Sequence, residues 1–246
     1  MVLTISTREL PLQIAYNVRH LGGYQTRRGK ATSDQCIRSA SLHRLTEAGV
    51  SALAEAGVRT VVDLRSSAER ETAPTPDMAP FGIINVAAPV FEQDASPAGL
   101  ATEEFPGFAS VYERMLVQGT DAYRTLFSIL AEANGRVLFH CAAGKDRTGI
   151  AAALLLDILD VPDETIVEDY TRSAELLSPM FKEWLPAMKE RGVSEERAEQ
   201  LMQAQAPDMT ATLEHIRVRY GSSEGYLTSI GLGQSQLGVL RARYAG

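Results

Sequence analysis

Residues 137–149 (VLFHCAAGKDRTG) constrain the fold more than any other part of the chain. An apolar strand runs into Cys141, a six-residue turn ends at Arg147, and a helical pattern begins at once. From Thr148 to Leu159 that helix is apolar nearly all round, so it must be buried on every side. A strand and a following helix that are both apolar throughout are the signature of a parallel sheet covered on both faces. Other segments fit the same plan. Val58 to Leu64, Gly82 to Val86, Arg136 to His140 and the shorter Cys36 to Ser39 read as strands. Thr46 to Ala56, with Thr46 as N-cap, and Asp121 to Ala133 read as helices. The expected fold is α/β, a mainly parallel central sheet flanked by helices.

The 246 residues suffice for one large domain or two small ones, and we read one domain over 1–246. Within it, residues 160–214 carry 13 acidic and 5 basic side chains, net −8, while the chain as a whole is −7. The acidity is therefore local, and the remainder is close to neutral. This stretch has helical composition broken at Pro162, Pro179, Pro186 and Pro207, so several separate helices are expected. It is an insertion that either docks as an ordinary helical layer or acts as a lid, with Met180, Phe181, Trp184 and Met188 as its exposed apolar face. The opposite bias lies in residues 19–44, where Arg19, Arg27, Arg28, Lys30, Arg38 and Arg44 face only Asp34. A solvated basic face, or the lining of a substrate approach, would account for it.

A net acidic chain argues against a nucleic-acid partner. Two cysteines exclude a disulfide scaffold. The longest apolar run is Ile150 to Leu156, too short for a transmembrane segment. The first ten residues lack a secretory pattern, so a cytoplasmic protein is the default expectation, with export without a cleaved signal left open. His43 and His215 have no partners at metal-ligand spacing, and neither metal nor cofactor is expected.

The chemistry concentrates at residues 141–148. Small Ala142, Ala143 and Gly144, with Lys145 and Asp146, let the backbone curl so that its N–H groups form an anion nest at a helix N-terminus. Arg147 adds a planar fork for two phosphate oxygens. Such a field favours the thiolate form of a cysteine at its base. Cys141 is then a nucleophile toward phosphorus, working through a phosphocysteine intermediate. Thr148 is placed to hydrogen-bond the sulfur as it leaves, and His140 to fix the loop through the backbone. Cys36, with Leu42 six residues on, reads as core filler.

These residues resemble a known family. Residues 140–148 (HCAAGKDRT) are similar to the signature of cysteine-dependent protein tyrosine phosphatases, and Gly144 to Arg147 to the loop of bacterial tyrosine phosphatase B and related lipid phosphatases. Residues 17–24 (NVRHLGGY), 38–46 (RSASLHRLT) and 62–66 (VDLRS) with Glu69 resemble further motifs of that family, with His20 where an Asp is usual. The resemblance covers about Asn17 to Leu159. It implies a phosphatase fold, a helical lid, a phosphorylated protein or phosphoinositide substrate, and inorganic phosphate as product.

Expulsion of the leaving group needs an acid. Trp184-Leu185-Pro186 carries no aspartate, so Asp146 in the loop and Asp63 at a strand end compete, Asp63 also being a natural partner for Arg65. Lys145 is either a second cation for multiply phosphorylated substrates or a solvated lysine on the rim. Phe105, Phe108 and Tyr112 are core residues or a border of the cleft. Two other classes share parts of this pattern, a phosphate-binding module without catalysis and a rhodanese-like sulfurtransferase.

Overall fold

The computed structural model describes residues 15–92 and 107–245. Among these residues five strands form one sheet: β1 (Arg19–His20), β2 (Cys36–Ser39), β3 (Val58–Asp63), β4 (Ile84–Ala87) and β5 (Arg136–His140), in the order β1-β2-β5-β3-β4. Only the short β1 runs antiparallel; the other pairings are parallel. The fold is the expected α/β sheet. β5 is central, and in register Ser39 and Asp63 both lie opposite His140. All three strands therefore end level, and Cys141 is the first residue beyond the edge. That carboxyl-terminal edge is where open α/β sheets place their ligands.

Side-chain alternation along the strands divides the core. Val62, Val137 and Phe139 face the larger half, packed by α3 (Phe108–Gln118), α4 (Thr120–Glu132) and α5 (Asp146–Ile158). Ile37, Val61 and Leu138 face the smaller half, closed by Val50 and Leu53 of α1 (Glu47–Glu55). Thr46 caps α1, its side chain accepting from the Gly49 N–H. The short α2 (Ser67–Thr72) follows β3. The expected burial of α5 holds: Arg147 to Leu156 are all buried. It starts two residues earlier than the apolar pattern suggests, at the polar Asp146. The strand expected from Gly82 begins at Ile84, because Ala79–Phe81 form a 3₁₀ turn ending at Gly82 in the left-handed region. Helix α3 carries a regular apolar stripe, Phe108, Val111, Tyr112, Met115 and Leu116, that the sequence reading did not single out as a helix. Phe105 lies outside the described residues.

The acidic stretch departs from expectation most. It is not broken at each proline. Helix α6 (Asp163–Glu190) runs for 28 residues through Pro179 and Pro186. An interior proline costs about 3 kcal/mol, but these two lie exposed on the outer face while Tyr170, Leu177, Met180 and Met188 are buried on the other. Packing of that face outweighs the missing backbone bonds. Met180 and Met188 are thus core residues, not exposed ones, and Phe181 and Trp184 are half-buried. Helices α7 (Glu195–Met202), α8 (Ala206–Tyr220), α9 (Ser223–Ser229) and α10 (Gln234–Tyr244) complete the chain. α8 lies on α3 and α6, α9 on α5 and α10 on α4. Among the described residues, no helix is long and apolar enough to cross a membrane.

Candidate active site

The turn from Cys141 to Arg147 is shaped by what its carbonyls bind. The Ser41 N–H donates to Ala142 O at 2.9 Å. The Asn17 amide donates to Ala143 O at 3.1 Å and Gly144 O at 3.0 Å, and Arg38 Nη2 donates to Gly144 O at 2.7 Å. A peptide N–H points opposite its carbonyl, so pinning three carbonyls outward turns the amides toward the inside of the curl. Gly144 is required twice over. Its φ is +67°, and a Cβ there would lie 2.3 Å from Ser39 O. Cys141 is buried at the base of this curl, and Ala143 belongs to a small buried apolar cluster with Ala40 and with Leu177, Met180 and Met202 of the helical segment.

Arg147 opens the first turn of α5 and is buried. Glu69 holds its guanidinium from the side with two parallel bonds, Nη1 to Oε2 at 2.5 Å and Nη2 to Oε1 at 2.8 Å. Glu69 is itself fixed by the capping box of α2, where its carboxylate accepts from the Ser66 N–H and its N–H donates to the Ser66 hydroxyl. Burial alone would raise the Glu69 carboxyl, but the bonds and charge of Arg147 hold it below its ordinary range. Burial likewise opposes the Arg147 charge, and Glu69 and Cys141 more than reverse this. Glu69 is the binding-site partner that a sequence reading undervalued; its place three residues after Ser66 was the available signal.

Asp63 and Asp146, the two acid candidates, have different surroundings. Both Asp63 oxygens are taken by Arg65, with Nε at 2.9 and 3.1 Å and Nη2 at 2.6 Å. Arg65 goes on to Ser41 Oγ, Ala73 O and Thr75 Oγ1. His140 Nε2 lies 3.7 Å from Asp63, while Nδ1 is 3.1 Å from Cys141 O, the backbone role expected of it. Burial pushes the Asp63 carboxyl up, but His140 and Arg65 bring it below its ordinary value. Burial also pushes the His140 imidazole down, against the pull of Asp63. Asp146, by contrast, sits at the first position of α5, partly exposed, with Oδ1 accepting from the Tyr112 hydroxyl at 2.6 Å.

Lys145 is neither of the things its sequence position suggests. Its side chain is 1% exposed, and Nζ donates to Leu201 O at 2.6 Å and Gln203 O at 2.8 Å, the carbonyls that end α7. It also lies 3.3 Å from Asp146 Oδ1 and 3.8 Å from the centre of the Phe108 ring. A buried ammonium at a helix C-terminus replaces the solvated rim lysine or unengaged second cation.

Arg19 and Arg38 also overturn the solvated-face reading. Both are buried and converge on Asp169 of α6, at 2.8 Å from Nε of Arg19 and 2.5 Å from Nη1 of Arg38. Tyr24 adds a third donor at 2.8 Å. Burial would raise the Asp169 carboxyl; Arg19 and Arg38 instead drive it far below the ordinary carboxylate range. Arg19 also donates to Asn17, whose amide holds the loop. Further out, Arg27 and Arg28 pair with Asp160, Arg27 also with Asp163, and Arg44 with Glu183. Arg19, Arg27, Arg28, Arg38 and Arg44 of the basic stretch are thus all paired with acidic residues of the helical segment.

Thr148 is buried, and its hydroxyl has no hydrogen-bond partner among the described residues. Cys36 is fully buried in β2, where burial pushes its thiol up, in keeping with a packing role. Beside the loop a cleft of about 500 Å³ is bounded by Ala142, by Ala68 and Ala73 around α2, and by Trp184 and Met188 of α6.

A cysteine at the base of an amide-lined curl, with an arginine clamped beside it at a helix N-terminus, is the arrangement that the family resemblance leads one to expect. The model of the tyrosine phosphatase family matches residues 10–246, and the chain belongs to that family. It is 33% identical over 232 residues to the tyrosine-protein phosphatase of Nostoc commune, covering 86% of this chain and 74% of the relative. It is 28% identical over 283 aligned positions to the triple specificity protein phosphatase PtpB of Mycobacterium tuberculosis, covering 98% of this chain and all of the relative.

Proposed function

We propose that the chain hydrolyses phosphotyrosine in protein substrates through Cys141. The phosphate binds the amides of residues 142–147 and the Arg147 fork. The Cys141 sulfur attacks phosphorus, the bond to the tyrosyl oxygen breaks, and Asp146 gives that oxygen its proton. Water then attacks the phosphocysteine as Asp146 takes a proton from it. The S–P bond breaks, Thr148 donates to the departing sulfur, and inorganic phosphate leaves. Asp63 serves as scaffold, because Arg65 already occupies both of its oxygens. The observation that carries this reading is the Arg147 guanidinium, buried and oriented by Glu69 at the mouth of the curl.

Two features favour an aryl phosphate over a phosphoinositide. Lys145 spends its charge on α7 rather than on a second phosphate, and the adjoining cleft offers Trp184 and Met188. We also read residues 1–246 as a single domain, with residues 160–214 covering the site as an insertion. The matching protein from M. tuberculosis carries a triple-specificity name, so phosphotyrosine, phosphoserine and phosphoinositide substrates belong in one assay of phosphate release. Phosphotyrosine should lead; a phosphoinositide turned over faster would reverse the assignment. Cys141→Ser should release no phosphate yet still bind inorganic phosphate in calorimetry. Mass spectrometry of the wild-type enzyme quenched in turnover should show a phosphocysteine; a persulfide would mean sulfur transfer, and full activity in Cys141→Ser would end the proposal.

A further inference from the structure

The Asp146 carboxylate is held from one side only. Tyr112 of α3 donates to Oδ1 at 2.6 Å, and the Tyr112 oxygen is 2.7 Å from the Tyr170 hydroxyl of α6. Lys145 Nζ approaches the same Oδ1 at 3.3 Å. No hydrogen bond among the described residues is made to Oδ2. The two oxygens are thereby distinguished: Oδ1 is anchored, and Oδ2 is left to carry the transferred proton.

The pair of hydroxyls is built, not incidental. Both tyrosines are buried, with rings 6.2 Å apart and nearly perpendicular at 86°. Since Tyr112 gives its one proton to Asp146, the Tyr170 hydroxyl must donate to Tyr112, so the direction of donation is fixed as Tyr170 to Tyr112 to Asp146. Burial pushes both phenols well above their ordinary value, so neither ionises at working pH and both stay donors. Gly149 makes room for the arrangement, because a Cβ there would come within 3.1 Å of the Tyr170 ring. A side chain at 149 would push against Tyr170 and, through it, against the pair.

We infer that Tyr112 and Tyr170 are positioning residues for leaving-group protonation, a two-hydroxyl relay from α6 through α3 that fixes which Asp146 oxygen faces the substrate. The relay rests on the reading of Asp146 as the acid. It also ties proton delivery to the seating of α6, since Tyr170 belongs to that helix while the nucleophile and Arg147 do not.

The test compares two aryl phosphates, one with a fast leaving group (2,4-dinitrophenyl phosphate) and one with a slow leaving group (phenyl phosphate), on the full chain. Tyr112→Phe keeps the ring and removes the donor. It should lower kcat/KM, which reports the steps through leaving-group departure and not the later hydrolysis of the phosphocysteine, about 10-fold or more on phenyl phosphate, leave kcat/KM on the dinitrophenyl ester within about 2-fold, and leave the binding of inorganic phosphate unchanged. Tyr170→Phe should show the same split in weaker form. A merely structural role would lower both substrates together or shift phosphate binding, and either result overturns the relay. Asp146→Asn in parallel separates the two layers. A leaving-group-dependent loss there with none in Tyr112→Phe overturns the relay and keeps the acid. No such dependence in Asp146→Asn removes the acid assignment and the relay with it. If Tyr112→Phe fails to fold, Gly149→Ala, which crowds Tyr170 without touching either hydroxyl, should reproduce the split, and an unchanged ratio of the two substrates would count against it.

Discussion

Two buried charge clusters brace the cradle from opposite sides, and they are built on different scales. Asp63, Arg65, Ser66 and Glu69 lie within seven residues of one another at the end of β3 and the start of α2. Their mutual bonds are local, and the longest reach among their hydrogen bonds is the Glu69–Arg147 clamp, over 78 positions, with Arg65–Ser41 spanning 24. Asp169 instead gathers Arg19, Tyr24 and Arg38 from 150, 145 and 131 residues away. The first cluster can form as soon as the strand and its cap form. The second exists only when α6 has docked. The arginine side of the cradle is therefore supported independently of the helical segment, while the side held by Asn17 and Arg38 depends on it.

Removing Asp169 should separate the clusters most sharply. Asp169→Ala leaves two buried guanidinium groups without their shared carboxylate, a change that costs about 3–5 kcal/mol in buried pairs. Urea unfolding should show that loss; a cost under about 1 kcal/mol would mean that the long-range cluster is no more demanding than a surface pair. Glu69→Gln is the counterpart. Glutamine keeps the capping box but weakens the hold on Arg147, so stability should fall by only about 1–3 kcal/mol. Its kcat/KM should fall roughly 10–100-fold, because a misplaced oxyanion clamp is costly. An activity loss no larger than that of Asp169→Asn would erase the distinction between the two sides.

The pH dependence sharpens the same contrast. Asp169 has a depressed folded-state pKa, so its contribution is complete above its unfolded value of about 3.9 and is lost as pH falls below that. His140 is a base with a lowered folded-state value, so the unfolded chain takes up its proton first. Stability is then lost as pH falls below about 6.5. Unfolding midpoints from pH 7.5 to 3 should thus decline in two stages, with His140→Gln weakening the upper stage and Asp169→Asn the lower, to which Asp63 and Glu69 also contribute. An upper stage that survives unweakened in His140→Gln would point to another group. The smallest effect belongs to the exposed Arg44–Glu183 pair, which also takes in Tyr16. Glu183→Gln should leave Tm without a resolvable shift. Faster turnover in that variant would show that α6 opens as a lid.

What could be read in advance followed the range of the interactions. β2, β5, the cap at Thr46 and the burial of α5 were legible because each is decided within a few residues. The cradle was legible for the same reason: small residues, Gly144 in a left-handed turn and Arg147 at the start of a helix are neighbours in sequence. Helix α6 was not, since its prolines argue locally for breaks and only the burial of Tyr170, Leu177, Met180 and Met188 argues otherwise. Lys145 was misread because its partners are the last carbonyls of α7, some 56 residues away.

The sequence by itself determined the α/β class, the Cys141–Arg147 curl and the candidate nucleophile, because strand pattern, turn chemistry and helix start are short-range. Only the tertiary structure decided that Glu69 aims Arg147, that Lys145 ties the loop to α7, that Arg65 takes up both oxygens of Asp63, and that basic side chains of residues 19–44 pair with acidic ones of residues 160–214. A buried charge is defined by the partner that neutralises it, and composition gives the charge but not the partner.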